Sequence, residues 1–116
     1  MTPDERWHWE QGNKYALEGM KVLLALNGGA AIALLTFASH TSGQLSVGGV
    51  GRALLAFGAG SFLAVFVFFC AYMTQLFYGN DNRTVALRFH YGSYVVVLLA
   101  IISFLAGLGF AYGALP

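Results

Sequence analysis

The side chains that could do chemistry are few in this 116-residue chain, and they lie far apart. The candidates for binding a metal or a haem are His8, His40 and His90, and Cys70 is the one cysteine. His40 follows the first apolar stretch and His90 precedes the third, so a bilayer core of about 30 Å would separate them. No Ser/His/Asp set, carboxylate pair or phosphate-binding loop appears in the sequence. We therefore expect no metal, no cofactor and no enzyme activity.

Asn27 is the foremost polar candidate, because it stands about one and a half turns inside the first apolar stretch. A polar side chain within a membrane span costs free energy and is suspected of a function by default. Its amide could bond to a neighbouring helix, for about 1 kcal/mol. In a monomer we expect it to bond to a neighbouring backbone group, whereas in a symmetric oligomer it could line a pore. No acid or base within the spans could relay a proton.

The elements that must position these residues are three long apolar stretches. The composition is 58% hydrophobic and 9% charged, whereas about a quarter of the residues of a soluble domain are charged. Each uncharged stretch exceeds the roughly 20 residues that cross a bilayer core, and backbone groups in lipid must be satisfied within a helix. We predict an all-α integral membrane protein with one membrane domain over 1–116. Its transmembrane helices should cover about 22–40, 53–77 and 91–115.

An amphipathic helix that leads into the first span is predicted over 3–21. Thr2-Pro3-Asp4-Glu5 has the pattern of a capping box, with Thr2 as N-cap. Polar and apolar residues then fall on opposite faces at helical spacing. Trp7 and Trp9 are the predicted interfacial anchors at the level of the lipid headgroups. Gly19 weakens the helix and favours a bend before the span.

The distribution of Lys and Arg predicts the orientation in the membrane. Five of the six precede span one or lie between spans two and three, and only Arg52 lies on the other side. We expect a bacterial inner membrane, with the N-terminus cytoplasmic and the C-terminus outside. A cleaved signal peptide is the alternative for span one, but the long polar lead and Asn27-Gly28-Gly29 disfavour it.

Small residues recur at every fourth position in all three spans. Such stripes let helix backbones approach closely in a membrane. They predict either assembly, with copies of the chain or with a larger complex, or closure of the three helices onto each other. The predicted packing residues are Ala25, Gly29 and Ala33 in span one, Ala56, Gly60 and Ala64 in span two, and Ser103, Gly107 and Ala111 in span three.

Span two also carries bulky aromatic residues on nearly every face. We expect these residues to contact lipid; a packing site for a flat hydrophobic molecule, such as a quinone or pigment, is the alternative. They are Phe57, Phe62, Phe66, Phe68, Phe69 and Tyr72.

Known families of small membrane proteins match only in part. Small multidrug transporters need a carboxylate in the first span, and succinate dehydrogenase anchors need a histidine in the second; this chain has neither. Three-span phage holins match in size and span number, but normally end in a basic tail, whereas this chain ends Tyr-Gly-Ala-Leu-Pro. The stretch 24–35 resembles segments of small bacterial membrane proteins, and this resemblance implies no function.

The function that we expect is assembly without catalysis. The net charge of +1 and the lack of a basic stripe exclude nucleic acid as a partner. The partners are then the lipid bilayer and either the chain itself, as a homo-oligomer, or a larger membrane complex of which it is an accessory subunit. The alternative is a holin-like or defence-effector pore former that permeabilises the membrane, with Asn27 facing the lumen.

Overall fold

The computed structural model describes residues 2–41 and 43–116. Over these residues the chain forms three helices, α1 (Pro3–Thr41), α2 (Val47–Gly79) and α3 (Arg83–Gly113), and no strand. Each helix is long and apolar enough to cross a membrane. This confirms the predicted all-α, multi-pass membrane fold. Met1 and Ser42, which the single-domain prediction over 1–116 also covers, lie outside the described residues.

The N-terminal helix and the first span are one element rather than two. α1 is a continuous helix of 39 residues that runs through Gly19 without interruption, so the amphipathic segment predicted over 3–21 continues into the first span without a break. The predicted capping box is confirmed: the Glu5 amide donates to Thr2 Oγ1 at 3.1 Å, and the Thr2 amide donates to Glu5 Oε2 at 2.7 Å. Backbone hydrogen bonding outweighs the small cost of one glycine within a long helix.

The two connections are much shorter than predicted, because polar side chains start α2 and α3 early. Ser46 caps α2 and accepts a hydrogen bond from the Gly49 amide at 3.2 Å. Asn82 caps α3 and accepts from the Val85 amide at 3.3 Å, as expected of an asparagine at this position. The turn before it is made by Asp81, whose φ of 59° is left-handed.

The helices run up, down and up, with α2 in the middle. α2 packs most extensively against α3 and less against α1, while α1 and α3 barely touch. The upper end is joined by a hydrogen bond from the Ser46 amide to the Ala114 carbonyl, 3.0 Å long. At the lower end the Trp9 ring lies 6.0 Å from that of Tyr78 and 6.1 Å from that of His90. The chain is a narrow layer of 60 × 23 × 16 Å.

A ring packed over a glycine closes α2 onto α3. Phe57 is 2% exposed, and a Cβ atom at Gly107 would come within 2.5 Å of its ring. Below this contact Ala64 of α2 and Ala100 of α3 are fully buried and form a cluster with Leu23 of α1. The expectation that Phe57 contacts lipid is therefore wrong. Among the other aromatic residues predicted to contact lipid, Phe68 is half-buried. The remaining four are exposed: Phe62, Phe66, Phe69 and Tyr72.

Substituting Gly107 by Ala should destabilise the fold, because the added methyl group needs the space of the buried Phe57 ring. We expect the free energy of unfolding in detergent to fall by about 1–3 kcal/mol, the usual cost of overpacking. Gly109→Ala is the matched control, since a side chain at Gly109 would meet nothing within 4 Å among the described residues. Circular dichroism during denaturation measures both; equal stability of the two variants would contradict the proposed Gly107–Phe57 packing.

Candidate functional site

Asn27 lies where α1 crosses α2, and it is completely buried. Its Nδ2 donates to the Leu23 carbonyl, 3.1 Å away on the same helix. Its Oδ1 has no hydrogen-bond partner in the part of the chain that the structure describes. The whole amide packs onto Gly60 of α2, where even a Cβ atom would overlap it. The close crossing of the two helices therefore depends on glycine at position 60.

Within a single chain, both polar atoms of the Asn27 side chain lie inside the bundle. Its amide nitrogen bonds within α1 rather than to a neighbouring helix. Its oxygen faces Gly60 rather than an open lumen. Because the site of the missing Cβ of Gly60 falls on this amide, an Hα of Gly60 points at it. Such Cα–H···O contacts are common between helices and contribute about 0.5–1 kcal/mol each, less than the cost of an unpaired buried acceptor, about 1–3 kcal/mol.

The three small-residue stripes divide into two kinds. In α2 and α3 they lie within the bundle: Gly60, Ala64 and Gly107 are buried, and Ala56, Ser103 and Ala111 are half-buried. In α1 the residues Ala25, Gly29 and Ala33 are all exposed. A side chain at Gly29 would meet nothing within 4 Å over residues 2–41 and 43–116. The first two stripes close the helices onto each other, and the third, hereafter the α1 stripe, is open.

The position of Asn27 explains why the α1 stripe faces away from the bundle. Ala25 and Gly29 each lie two residues from Asn27, which is a rotation of about 200° around the helix axis. With Asn27 directed at α2, the α1 stripe must lie on the opposite side of the helix. Packing one face of α1 thus leaves the other available.

A groove of about 1080 Å³ separates the lower half of α1 from α2 and α3. Its upper limit is the Asn27–Gly60 crossing, and its lower limit is the contact of Trp9 with Tyr78 and His90. The groove is open at the side, because α1 and α3 barely touch. Its volume slightly exceeds the usual range for small-molecule sites, about 300–1000 Å³.

The lining of the groove has two zones. The apolar zone, nearer the crossing, includes Leu23, Leu26, Phe68, Val97 and Ile101. The polar zone, nearer the lower end, includes Trp9, Asn13, Gln75, His90 and Tyr94. Among the described residues that line the groove there is no Lys, Arg, Asp or Glu. The groove can therefore hold an amphiphile, with hydrogen bonds at one end and hydrocarbon contacts at the other.

His90 and Tyr94 form the best-defined hydrogen bond of the polar zone. Their Nε2 and hydroxyl oxygen are 2.8 Å apart, one turn apart on α3. If the hydroxyl donates, the neutral imidazole keeps an N–H at Nδ1; if the imidazole donates, the hydroxyl keeps its O–H. In either tautomer one donor remains for another molecule.

The two predicted anchors have different surroundings. Trp9 lines the groove and approaches Tyr78 and His90, whereas Trp7 is 55% exposed and its ring lies 4.9 Å from that of His8. Sequence reasoning treated them alike and missed the groove. The available signal was the aromatic pair Tyr91 and Tyr94 beside His90, but the partners on α1 and α2 are distant in sequence and ordinary in type.

Comparison with known proteins identifies no relative of this chain. No protein-family model, no curated protein and no solved structure matches the chain. Fold and site together define a multi-pass membrane protein with an open small-residue stripe on α1 and a two-zone groove between α1 and the α2–α3 pair.

The contact between Asn27 and Gly60 can be measured by a double-mutant cycle. Gly60→Ala should lower the free energy of unfolding by about 1–3 kcal/mol, because the methyl group overlaps the amide. In the Asn27→Ala background the same change should cost far less, since the amide is gone, giving a coupling of about 1 kcal/mol. Unfolding in detergent measures all four proteins, and additive effects would show that the two residues do not touch.

Proposed function

We propose that the protein is non-catalytic and acts by helix–helix assembly through the α1 stripe, as a homo-oligomer or as an accessory subunit of a larger membrane complex. The observation that carries this proposal is the unequal burial of the stripes. Gly60 and Gly107 are buried between helices of the same chain, whereas Gly29 is exposed.

The exposure of the α1 stripe matters because small residues are what allow helices to associate in a membrane. Lipid tails are as apolar as leucine, so burying apolar side chains does not drive helices together in a bilayer. Close backbone approach does, through van der Waals contact, and it requires small residues. The α1 stripe extends over eight residues from Ala25 to Ala33, which is about 12 Å along the helix axis. Another helix can approach there as closely as α2 approaches α1 at Gly60.

The proposed orientation places the N-terminus in the cytoplasm and the C-terminus outside, in a bacterial inner membrane. The up-down-up path supports it, because it puts the start of α1 and the connection between α2 and α3 at one end of the molecule. Arg6, Lys14, Arg83 and Arg88 belong to that end and Lys21 to the lower half of α1, while Arg52 belongs to the upper end. Cytoplasmic segments of membrane proteins are enriched in Lys and Arg.

A pore lined by Asn27 has less support. That side chain is completely buried at the crossing of α1 with α2 of its own chain. The α1 stripe, through which copies would meet, carries only Ala and Gly. Within the stripe itself, a hydrated lumen would have no polar lining.

Gly29→Leu should weaken assembly, because a bulky side chain holds the helices apart where glycine permits contact. Gly58→Leu is the matched control: Gly58 is also exposed, and a side chain there also meets nothing within 4 Å in the described chain. In bilayers, we expect Gly29→Leu to lower the association constant roughly tenfold, about 1.4 kcal/mol.

Association is measured by energy transfer between labelled chains in vesicles, or by the mass of the detergent-extracted particle. Wild-type protein that is monomeric and without a stoichiometric partner would contradict the proposal, as would equal assembly of both variants. Dye leakage from the same vesicles provides the second readout. Leakage that Asn27→Leu abolishes without change in particle size would favour the pore instead.

The orientation predicts the activity of alkaline phosphatase fused at two positions. A fusion after Pro116 should be active, because the enzyme needs the oxidising periplasm to form its disulfides. A fusion within the connection 80–82 should be inactive, since that connection lies beside Arg83 on the cytoplasmic side. The reverse pattern would overturn the proposed orientation.

A further inference from the structure

We infer that the groove between the lower half of α1 and the α2–α3 pair is a binding site for an isoprenoid quinone. The quinone ring would occupy the polar zone and the isoprenoid tail the apolar zone. This inference is independent of the proposed assembly, because none of Ala25, Gly29 and Ala33 lines the groove.

The two zones of the groove are arranged as the layers of a membrane are, with the apolar zone toward the bilayer interior and the polar zone toward its surface. The apolar zone reaches Leu23, which packs with Ala64 and Ala100 in the interior of the bundle. The polar zone lies toward the end of the molecule that carries Arg83. Along α3 the distance from Ile101 to His90 is eleven residues, or about 16 Å. A molecule in this groove thus needs a hydrocarbon part within the bilayer core and a polar part toward its surface.

The lining specifies an uncharged head. A phospholipid carries a phosphate, and phosphate sites in proteins use Arg, Lys or clustered backbone amides. No Lys or Arg side chain belongs to the lining among the described residues, and the groove wall is made of helix sides rather than helix N-termini. A head without charge is therefore favoured over an anionic one.

The polar zone of the groove contains hydrogen-bond donors that a ligand with acceptor atoms could use. The His90–Tyr94 pair keeps one free donor in either tautomer, and the indole N–H of Trp9 is a donor only. The rings of Trp9 and His90 are inclined by 31° with centroids 6.1 Å apart, so they present aromatic faces. A quinone has two carbonyl acceptors on an uncharged planar ring, and its tail is a hydrocarbon chain.

Entry from the bilayer requires no rearrangement of the bundle. The groove is open at the side between α1 and α3, which barely touch. Gly12 and Gly19 widen it: a side chain at either position would meet nothing within 4 Å in the part of the chain that is described. Space that these glycines leave can be filled by a tail, and it can also be blocked by substitution.

The two tryptophans allow a direct test, because quinones quench tryptophan fluorescence at short range. The Trp7→Phe protein, in phosphatidylcholine nanodiscs, is titrated with decylubiquinone. Quenching of Trp9 should be saturable, above the linear quenching that free quinone in the bilayer produces. In the Trp9→Phe protein the remaining Trp7, which does not line the groove, should show the linear component alone.

A blocking variant and a matched control complete the test, both in the Trp7→Phe background. Gly19→Leu places a side chain in the groove and should weaken saturable binding roughly tenfold or more. Gly29→Leu, at a position that does not line the groove, should bind decylubiquinone like the parent even where it fails to assemble. That result separates this inference from the proposed function.

Three outcomes would overturn the inference. The first is quenching of Trp9 that never saturates. The second is equal binding by Gly19→Leu and Gly29→Leu, which would place the quinone elsewhere. The third is displacement of decylubiquinone by phosphatidylglycerol as readily as by a second quinone, which would make the groove a phospholipid site.

Discussion

Close approach of helix backbones at glycine is the constraint on which the rest of this structure depends. A bilayer does not press apolar helices together, so the bundle is held where atoms can come into van der Waals contact. Gly107 receives the ring of Phe57 between α2 and α3, and Gly60 receives the amide of Asn27 between α1 and α2. The second contact is narrow, and α1 gains little from α3. The lower half of α1 therefore stands apart from its neighbours.

That separation gives α1 two different faces. Toward the bundle it forms one wall of a groove that ends at Trp9, Tyr78 and His90. Away from the bundle it exposes the α1 stripe, including Gly29. Both features have one origin: a long, continuous helix attached at a single close crossing. A helix packed along its whole length would have neither the groove nor so large an open surface.

The buried amide of Asn27 shows how specificity and stability differ in such a bundle. One hydrogen bond to Leu23 satisfies its nitrogen, but its oxygen finds no conventional donor in the chain described. An unsatisfied buried acceptor costs free energy, so the residue is a poor choice for stability alone. It does fix the rotation of α1, because the amide fits only opposite a residue without a side chain. The rotation in turn directs the α1 stripe outward.

The sequence by itself determined the all-α membrane fold, the three spans and the capping box at Thr2, because each rests on local hydropathy or on residues within one turn. It also predicted which residues could pack closely, but not which of them do. Gly29, Gly60 and Gly107 stand in similar apolar contexts, and only the crossing of the helices decides that two are buried and one is exposed. The groove that joins Trp9 to His90 was likewise decided by tertiary structure. Contacts between residues 81 positions apart depend on the angles between helices, which no local pattern contains.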